Sequence, residues 1–354
     1  MICFSPNRQI RRLWSQSVLT IPAILLCSNV FGFSFSPFAH PQNRVDTKAE
    51  DKKRGIALYE QNHFREAVEA LRKATKADQH DHEAWYFLGL ALIRNKDLKG
   101  ASQSFETVLK LNPEFAPGHA GLAYALLLRN KPIEAMREAQ AALALNKKIP
   151  DAHYIIGVVQ LREGNREDAL KHAEEVIRLD ARFAPAYLLK SEALVGFLED
   201  VRVGMPVESR DDRVARYREA AAALEKYLEL NPDVEDKPVL TAQLDGLRFH
   251  MRVASGTESV FSGKDVTVKA RVLYKPEPAY TPAARQNQIT GTVILIAIFA
   301  ADGNVRYIIA VRGLPFGLTE ASIRAAQRIK FVPAMVNDKP VSMWMQLEYN
   351  FAIF

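Results

Sequence analysis

A recurring spacing of 34 residues constrains this chain more than any other feature. From Gly89 it reaches Gly55 in one direction and Ala123, Gly157 and Ser191 in the other. A second register runs through Ala67, Ala101, Ala135 and Ala169. Small residues kept in two registers over successive periods mean that two elements approach each other closely in every unit. Such a chain buries apolar surface between neighbouring units rather than in one central core. The period predicts a stack of helical hairpins.

Within one unit, Trp85, Leu88, Gly89, Ala101, Phe105 and Pro113 of "WYFLGLALIRNKDLKGASQSFETVLKLNP" follow the spacing W-x2-L-G, A-x3-F and P. On these residues the array resembles the tetratricopeptide repeat (TPR) family, with about five repeats over residues 47–252. The fifth unit departs from the period. "REAAAALEKYLELNP" comes seventeen residues late, with Ala220 where Val203 would stand. The polar stretch 199–214, with Gly204 and Pro206, predicts a loop inserted between the two helices. "VLTAQLDGLRFHMRV" (239–253) marks the capping helix that a solenoid end needs, expected at 236–252. The resemblance implies no chemistry but a concave face made by the first helix of each pair. Its positions carry over onto Tyr59, Tyr86, Leu90, Ile93, Tyr124, Leu127, Tyr154, Val158 and Leu161. Two occupants fit so apolar a lining: an extended or helical peptide, or the chain's own inserted loop or terminal segment.

The chain starts with a different pattern. Arg8, Arg11 and Arg12 precede an apolar stretch that is free of charge from Leu13 to Ala39. A basic start followed by a short apolar core is an export pattern, and the arginines place the N-terminus inside and the remainder outside the cytoplasm. Residues 1–39 are read either as a signal peptide cleaved near Gly32 or as an uncleaved anchor, although Thr20, Pro22, Ser28 and Asn29 make a weak span. Both cysteines, Cys3 and Cys27, fall in this segment, so the exported part has no thiol to form disulfides. Leu26 before Cys27 is too large for a lipid-attachment signal.

After a linker at 253–271 the pattern changes again. "PAYTPAARQNQ" permits one short helical turn after its prolines, with Arg285 exposed. "GTVILIAIFA" and "VRYIIAVR" are β-branched and apolar on both faces, joined by an Asp-Gly turn. "LTEASIRAAQRIKF" is helical, with Thr319 as the expected N-cap. From Val341 to Ile353 apolar residues alternate with Ser342, Trp344, Gln346, Glu348 and Asn350, the period of a half-buried strand. The order is β-β-α-β, a three-stranded sheet on one helix. The predicted fold class is thus a TPR α-solenoid followed by a small β-β-α-β module at 272–354.

"KPEPAYTPAAR", "GTVILIAIFAADGNV" and "GLTEASIRAAQRIKFVPAMVNDKPV" resemble the TonB C-terminal domain family over about 80 residues. That family reaches across the periplasm and pairs a sheet edge with a short peptide of an outer-membrane receptor. The resemblance implies a docking strand from Val341 to Phe351, with Val341, Ser342, Trp344, Gln346 and Glu348 as its partner-binding residues. Trp344 could instead pack on the module's own N-terminal arm or on a second copy, as in a homodimer. Two departures separate this chain from the family's energy transducers. Its N-terminal segment has no histidine, and no Pro-Glu or Pro-Lys spacer follows. The resemblance implies an ExbB/ExbD-like motor as one partner; the two departures count against it and keep a non-transducing periplasmic TPR adaptor as the alternative, both in the cell envelope.

Other chemistries find little support. The 47 basic and 41 acidic residues are interleaved along the helices, which reads as solvated faces rather than a nucleic-acid surface. "HDHE" at 80–83 falls at an inter-repeat turn and lacks a second ligand cluster. His119 and His153, one repeat apart, occupy the packing position of Trp85. "SGKD" at 262–265 lacks the upstream glycine of a phosphate loop. With no nucleophile–base constellation, neither a catalytic residue nor a cofactor or metal is expected.

Overall fold

Helix pairs follow the 34-residue spacing in the computed structural model, which describes residues 43–200 and 209–353. The predicted signal or anchor at 1–39 lies outside the described residues. The helices are α1 (Asn43–Glu60), α2 (Phe64–Ala77), α3 (His82–Arg94), α4 (Leu98–Leu111), α5 (Ala116–Leu128) and α6 (Pro132–Leu145). They continue with α7 (Pro150–Glu163), α8 (Arg166–Leu179), α9 (Ala184–Asp200), α10 (Arg210–Leu230) and α11 (Lys237–Ser255). None of the described helices is long and apolar enough to cross a membrane. Residues up to Gly121 and residues from Leu122 onward form two compact units.

The repeat is visible in the turns as well as in the helices. Asn62, Lys96, Asn130 and Gly164 stand one period apart and all adopt positive φ, from 56° to 87°. That left-handed residue ends the first helix of its pair and lets the chain reverse. Asp81 and Asp97 cap α3 and α4 by accepting from the backbone N–H of Ala84 and Gly100. A second staple recurs six residues apart. Trp85 Nε1 donates to the Gln79 carbonyl, and Tyr187 Oη donates to the Ala181 carbonyl. His119 Nε2 and His153 Nε2 meet the carbonyls of Pro113 and Lys147 in the same way. These histidines do the work of Trp85, tying a first helix to the turn before it.

In the first unit, fully buried Phe105 explains two glycines. A Cβ on Gly89 would come within 2.7 Å of its ring, and one on Gly121 within 2.5 Å. The inserted segment differs in part from the loop expected at 199–214. Ser209 caps α10 by accepting from the Asp212 N–H, so residues 210–214 form the first turn of a 21-residue helix. Residues 201–208 lie outside the described residues.

The terminal module contains β1 (Arg271–Tyr274), α12 (Pro282–Gln286), β2 (Gly291–Phe299), β3 (Val305–Arg312), α13 (Leu318–Ala326) and β4 (Lys330–Val332). It ends in β5 (Ala334–Val336), β6 (Lys339–Val341) and β7 (Met343–Phe351). The central sheet is antiparallel in the order β3-β2-β7, and β1–β4 and β5–β6 are two-stranded ribbons. Three expectations need correcting. The helix expected over 318–331 ends at Ala326, and Lys330 and Phe331 open β4. A β5–β6 hairpin, absent from the expected β-β-α-β order, stands before the last strand, because Asn337 and Asp338 both take positive φ, the demand of a type I′ turn. Val341 therefore belongs to β6, opposite Ala334, and not to the last strand. Gly317, at φ 81°, caps α13 in place of Thr319, whose hydroxyl instead bonds the N–H and carbonyl of Leu314.

Strands β2 and β3 are covered on both faces, whereas Gln346, Glu348 and Asn350 of β7 are exposed. Val293, Leu295, Phe299, Leu347 and Tyr349 pack with Leu318 and Ile323 of α13. Ile294, Ile296, Ile309 and Val311 pack with Leu194 of α9, Leu224 of α10 and Leu244 and Leu247 of α11. This explains why β2 and β3 are apolar on both sides. In β3 the alternation is reset by Tyr307, a non-glycine at φ 52° beside a register irregularity. Val305 and Ile308 thus share one face, while Ile309 and Val311 share the other. The displaced Tyr307 ring stacks on Phe249 at 3.8 Å. Helix α11 comes so close to β3 that a Cβ on Gly246 would lie 3.0 Å from the Ile308 carbonyl oxygen.

Candidate docking surface

Strand β7 pairs with β2 along its whole length, from Met343 opposite Phe299 to Phe351 opposite Gly291. It is an edge of the three-stranded sheet. The Trp344 N–H points away from β2, since it donates at 3.1 Å to the carbonyl of Phe261 in the linker. By the alternation of an antiparallel ladder, the main-chain groups of Glu348 and Asn350 point the same way. The Glu348 carbonyl accepts from Lys275 Nζ at 2.6 Å. Its carboxylate accepts from Gln346 Nε2 at 2.7 Å, and both side chains are exposed.

The other residues assigned to docking have local partners. Ser342 Oγ accepts from the Ala301 N–H in the β2–β3 turn, and its carbonyl accepts from the Phe261 N–H at 3.0 Å. Trp344 stacks on His250 of α11 at 4.6 Å, so the indole packs on the last solenoid helix rather than on the N-terminal arm. Phe261, Lys275 and His250 stand out neither by motif nor by periodicity. Their roles arise from contacts with residues 57 to 94 positions away, which spacing along the chain does not encode.

The TPR positions divide by burial. In the first unit Tyr59, Tyr86 and Leu90 are buried and Ile93 is half-buried. Tyr59 meets Phe64 and Phe87 edge-on, and Tyr86 meets Phe105 and Phe115 in the same way. In the second unit Tyr124 and Leu127 are buried, whereas Tyr154, Val158 and Leu161 keep some exposure. Asp81, from the histidine-containing turn, pairs with Lys52 at 2.8 Å, and Glu83 pairs with it at 3.0 Å.

The seam between solenoid and module carries unusual ionisation. Glu192 of α9 keeps an exposed side chain, yet the protein around it, then the nearby Glu320 of α13, raises its carboxyl above the usual range. Glu320 is raised too, chiefly by burial. His250 is fully buried between Tyr217 and Trp344, and its Nε2 donates to the Tyr307 carbonyl at 2.8 Å. Its Nδ1 is buried without a hydrogen-bond partner. Burial lowers this imidazole to about 4. The folded value lies below the usual 6.5, so stability is complete above pH 6.5 and is lost as pH falls towards 4. Glutamine at 250 keeps an N–H for Tyr307 and does not titrate. Between pH 7 and pH 4, wild type is expected to lose about 3 kcal/mol relative to His250→Gln. Urea unfolding of both chains measures the difference and cancels the opposite contributions of Glu192 and Glu320. Parallel pH profiles would rule out a buried neutral histidine.

Two stretches of the chain match known families. The family described as "Gram-negative bacterial TonB protein C-terminal" matches residues 276–353, and the tetratricopeptide repeat family matches residues 52–114. No curated protein matches the chain in sequence. Among solved structures, a MamA protein is 23% identical, covering 53% of this chain and 93% of its own, at a TM-score of 0.38. TTC0263, a thermophilic TPR protein of Thermus thermophilus, is 20% identical over 59% of this chain and 98% of its own, with a TM-score of 0.42. PilF of Pseudomonas aeruginosa is 16% identical over 61% and 90%, with a TM-score of 0.46. The chain thus joins a tetratricopeptide repeat region to a TonB C-terminal domain, two kinds of domain that bind proteins.

Proposed function

We propose that this chain is a bacterial cell-envelope adaptor that docks an extended segment of another envelope protein on the outer edge of β7. The supporting observation is that β7 has nine residues in register with β2 on one side and lies at the edge of its sheet on the other. Outward N–H and C=O groups on such an edge are a template for an added strand, which main-chain bonds hold and neighbouring side chains select. A peptide of an outer-membrane receptor is the partner that the TonB C-terminal match favours. A second protein held at the half-exposed repeat positions Tyr154, Val158 and Leu161 completes the adaptor.

Energy transduction by an ExbB/ExbD-like motor is the second reading, motivated by the apolar run within residues 1–39. It calls for a module that reaches away from its anchor on a spacer. The apolar packing of Ile294, Ile296, Ile309 and Val311 on α9–α11 favours a module held against the solenoid.

Glu348→Pro tests the docking edge. It removes an outward N–H and leaves the N–H groups that bond β2 in place. Random ten-residue peptides displayed on phage and selected on the full chain are expected to bind the variant about tenfold more weakly. The midpoint of unfolding should change little. Equal affinity for both chains would show that the selected peptides bind elsewhere and would remove the support for the β7 edge.

A further inference from the structure

The proposed docking edge already has an occupant, and this inference rests on the docking reading above. After α11 the chain doubles back onto β7. Thr257 and Glu258 donate their N–H groups to the Arg252 carbonyl, which fixes the start of the segment. Phe261 then pairs with β7 in parallel, opposite Met343. Its N–H donates to the Ser342 carbonyl at 3.0 Å, and its carbonyl accepts from the Trp344 N–H at 3.1 Å. Its half-buried ring packs against the module's core. Directly afterwards a turn diverts the chain, with the Asp265 N–H donating to the Ser262 carbonyl and the Asp265 carboxylate accepting from the Ser262 N–H and hydroxyl. Pairing therefore stops after one residue. Further along the edge, Lys275 Nζ holds the Glu348 carbonyl.

A strand edge can pair with only one neighbour at a given position. An incoming strand running the length of β7 must take the Ser342 carbonyl and the Trp344 N–H, which Phe261 holds. We propose that Glu258–Ser262 is an internal competitor for the β7 edge, and that a partner strand docks by displacing it. Being part of the same chain, the segment competes at a high effective concentration. It shields the edge when no partner is present, one of the ways proteins protect such edges.

Hydrogen exchange on the full chain tests the pairing without any partner. In wild type the Trp344 amide is expected to be protected, although it faces away from β2. Phe261→Pro lacks the N–H that bonds Ser342 and should lower Trp344 protection about tenfold, with the Leu347 and Tyr349 amides unchanged. A labelled peptide of residues 258–264 is the binding probe. It is expected to bind Phe261→Pro about tenfold more tightly than wild type, and to restore Trp344 protection. Phe261→Ala, which keeps the N–H and loses the ring, should fall between the two. An unprotected Trp344 amide in wild type would overturn the proposal. So would equal peptide affinity for wild type and both variants. Failure of the phage selection falls on the docking reading alone, because Trp344 exchange is read with no partner present.

Discussion

Ile309→Asp is expected to part the terminal sheet from the end of the solenoid and to lower stability by at least about 4 kcal/mol. Ile309 is 1% exposed, on the face of β3 that packs with Leu224, Leu244 and Leu247. Aspartate there removes the apolar contacts and puts an uncompensated charge in a dry seam. Ile309→Val, which removes one methylene and adds no charge, should lower stability by only about 1 kcal/mol. Urea unfolding measures both losses. Limited proteolysis tells a released module from global unfolding, since a released module survives as a fragment of its own. An Asp variant as stable and as protease-resistant as wild type would mean that the seam is not a packed core.

Phe105→Ala should be the most damaging change in the first unit, at about 3–5 kcal/mol. The ring is wholly buried, and Gly89 and Gly121 lie against it where no Cβ would fit. Removing it leaves a cavity that two glycines cannot fill. Gly89→Ala approaches the same contact from the other side. Its added methyl would have to push the ring aside, so a smaller loss of about 1–3 kcal/mol is expected. Thermal unfolding followed by circular dichroism checks both. An alanine at 105 tolerated within about 1 kcal/mol would show that the hairpins slide together to refill the space.

Much of the architecture could be read from spacing. The repeat needed only small residues at fixed intervals, because each hairpin is built from near neighbours in the chain. The strand character of β2, β3 and β7 followed from β-branched residues and period-two alternation. The β5–β6 hairpin was missed because Asn337-Asp338 is a weaker signal than Asn-Gly, although both residues reach positive φ. The start of α13 was misjudged because Thr319 lies in the sequence context of a cap. Its hydroxyl instead closes the preceding loop on Leu314.

The docking residues were less legible. Alternation identifies the strand but leaves Trp344 open to a partner, the module's own arm or a second copy, whereas its ring stacks on His250. One large apolar residue on an otherwise polar face is the mark of a local contact, and nothing along the strand says with what. The double-sided apolar character of β2 and β3 carried the same information. A sheet with one solvated face does not carry isoleucine at 294, 296 and 309 on that face.

By itself, the sequence determined the stack of helical hairpins and the strand character of β2, β3 and β7. These depend on local spacing, where backbone geometry sets the period. Only the tertiary structure decided that the solenoid's last helices cover the sheet, that Tyr307 bulges to reach Phe249, and that Phe261 sits on the β7 edge. Those outcomes join residues far apart in the chain. Asn130 Nδ2, for example, donates to the Asn287 carbonyl across 157 positions. Contacts of that kind follow from which apolar faces remain to be buried once the local elements have formed.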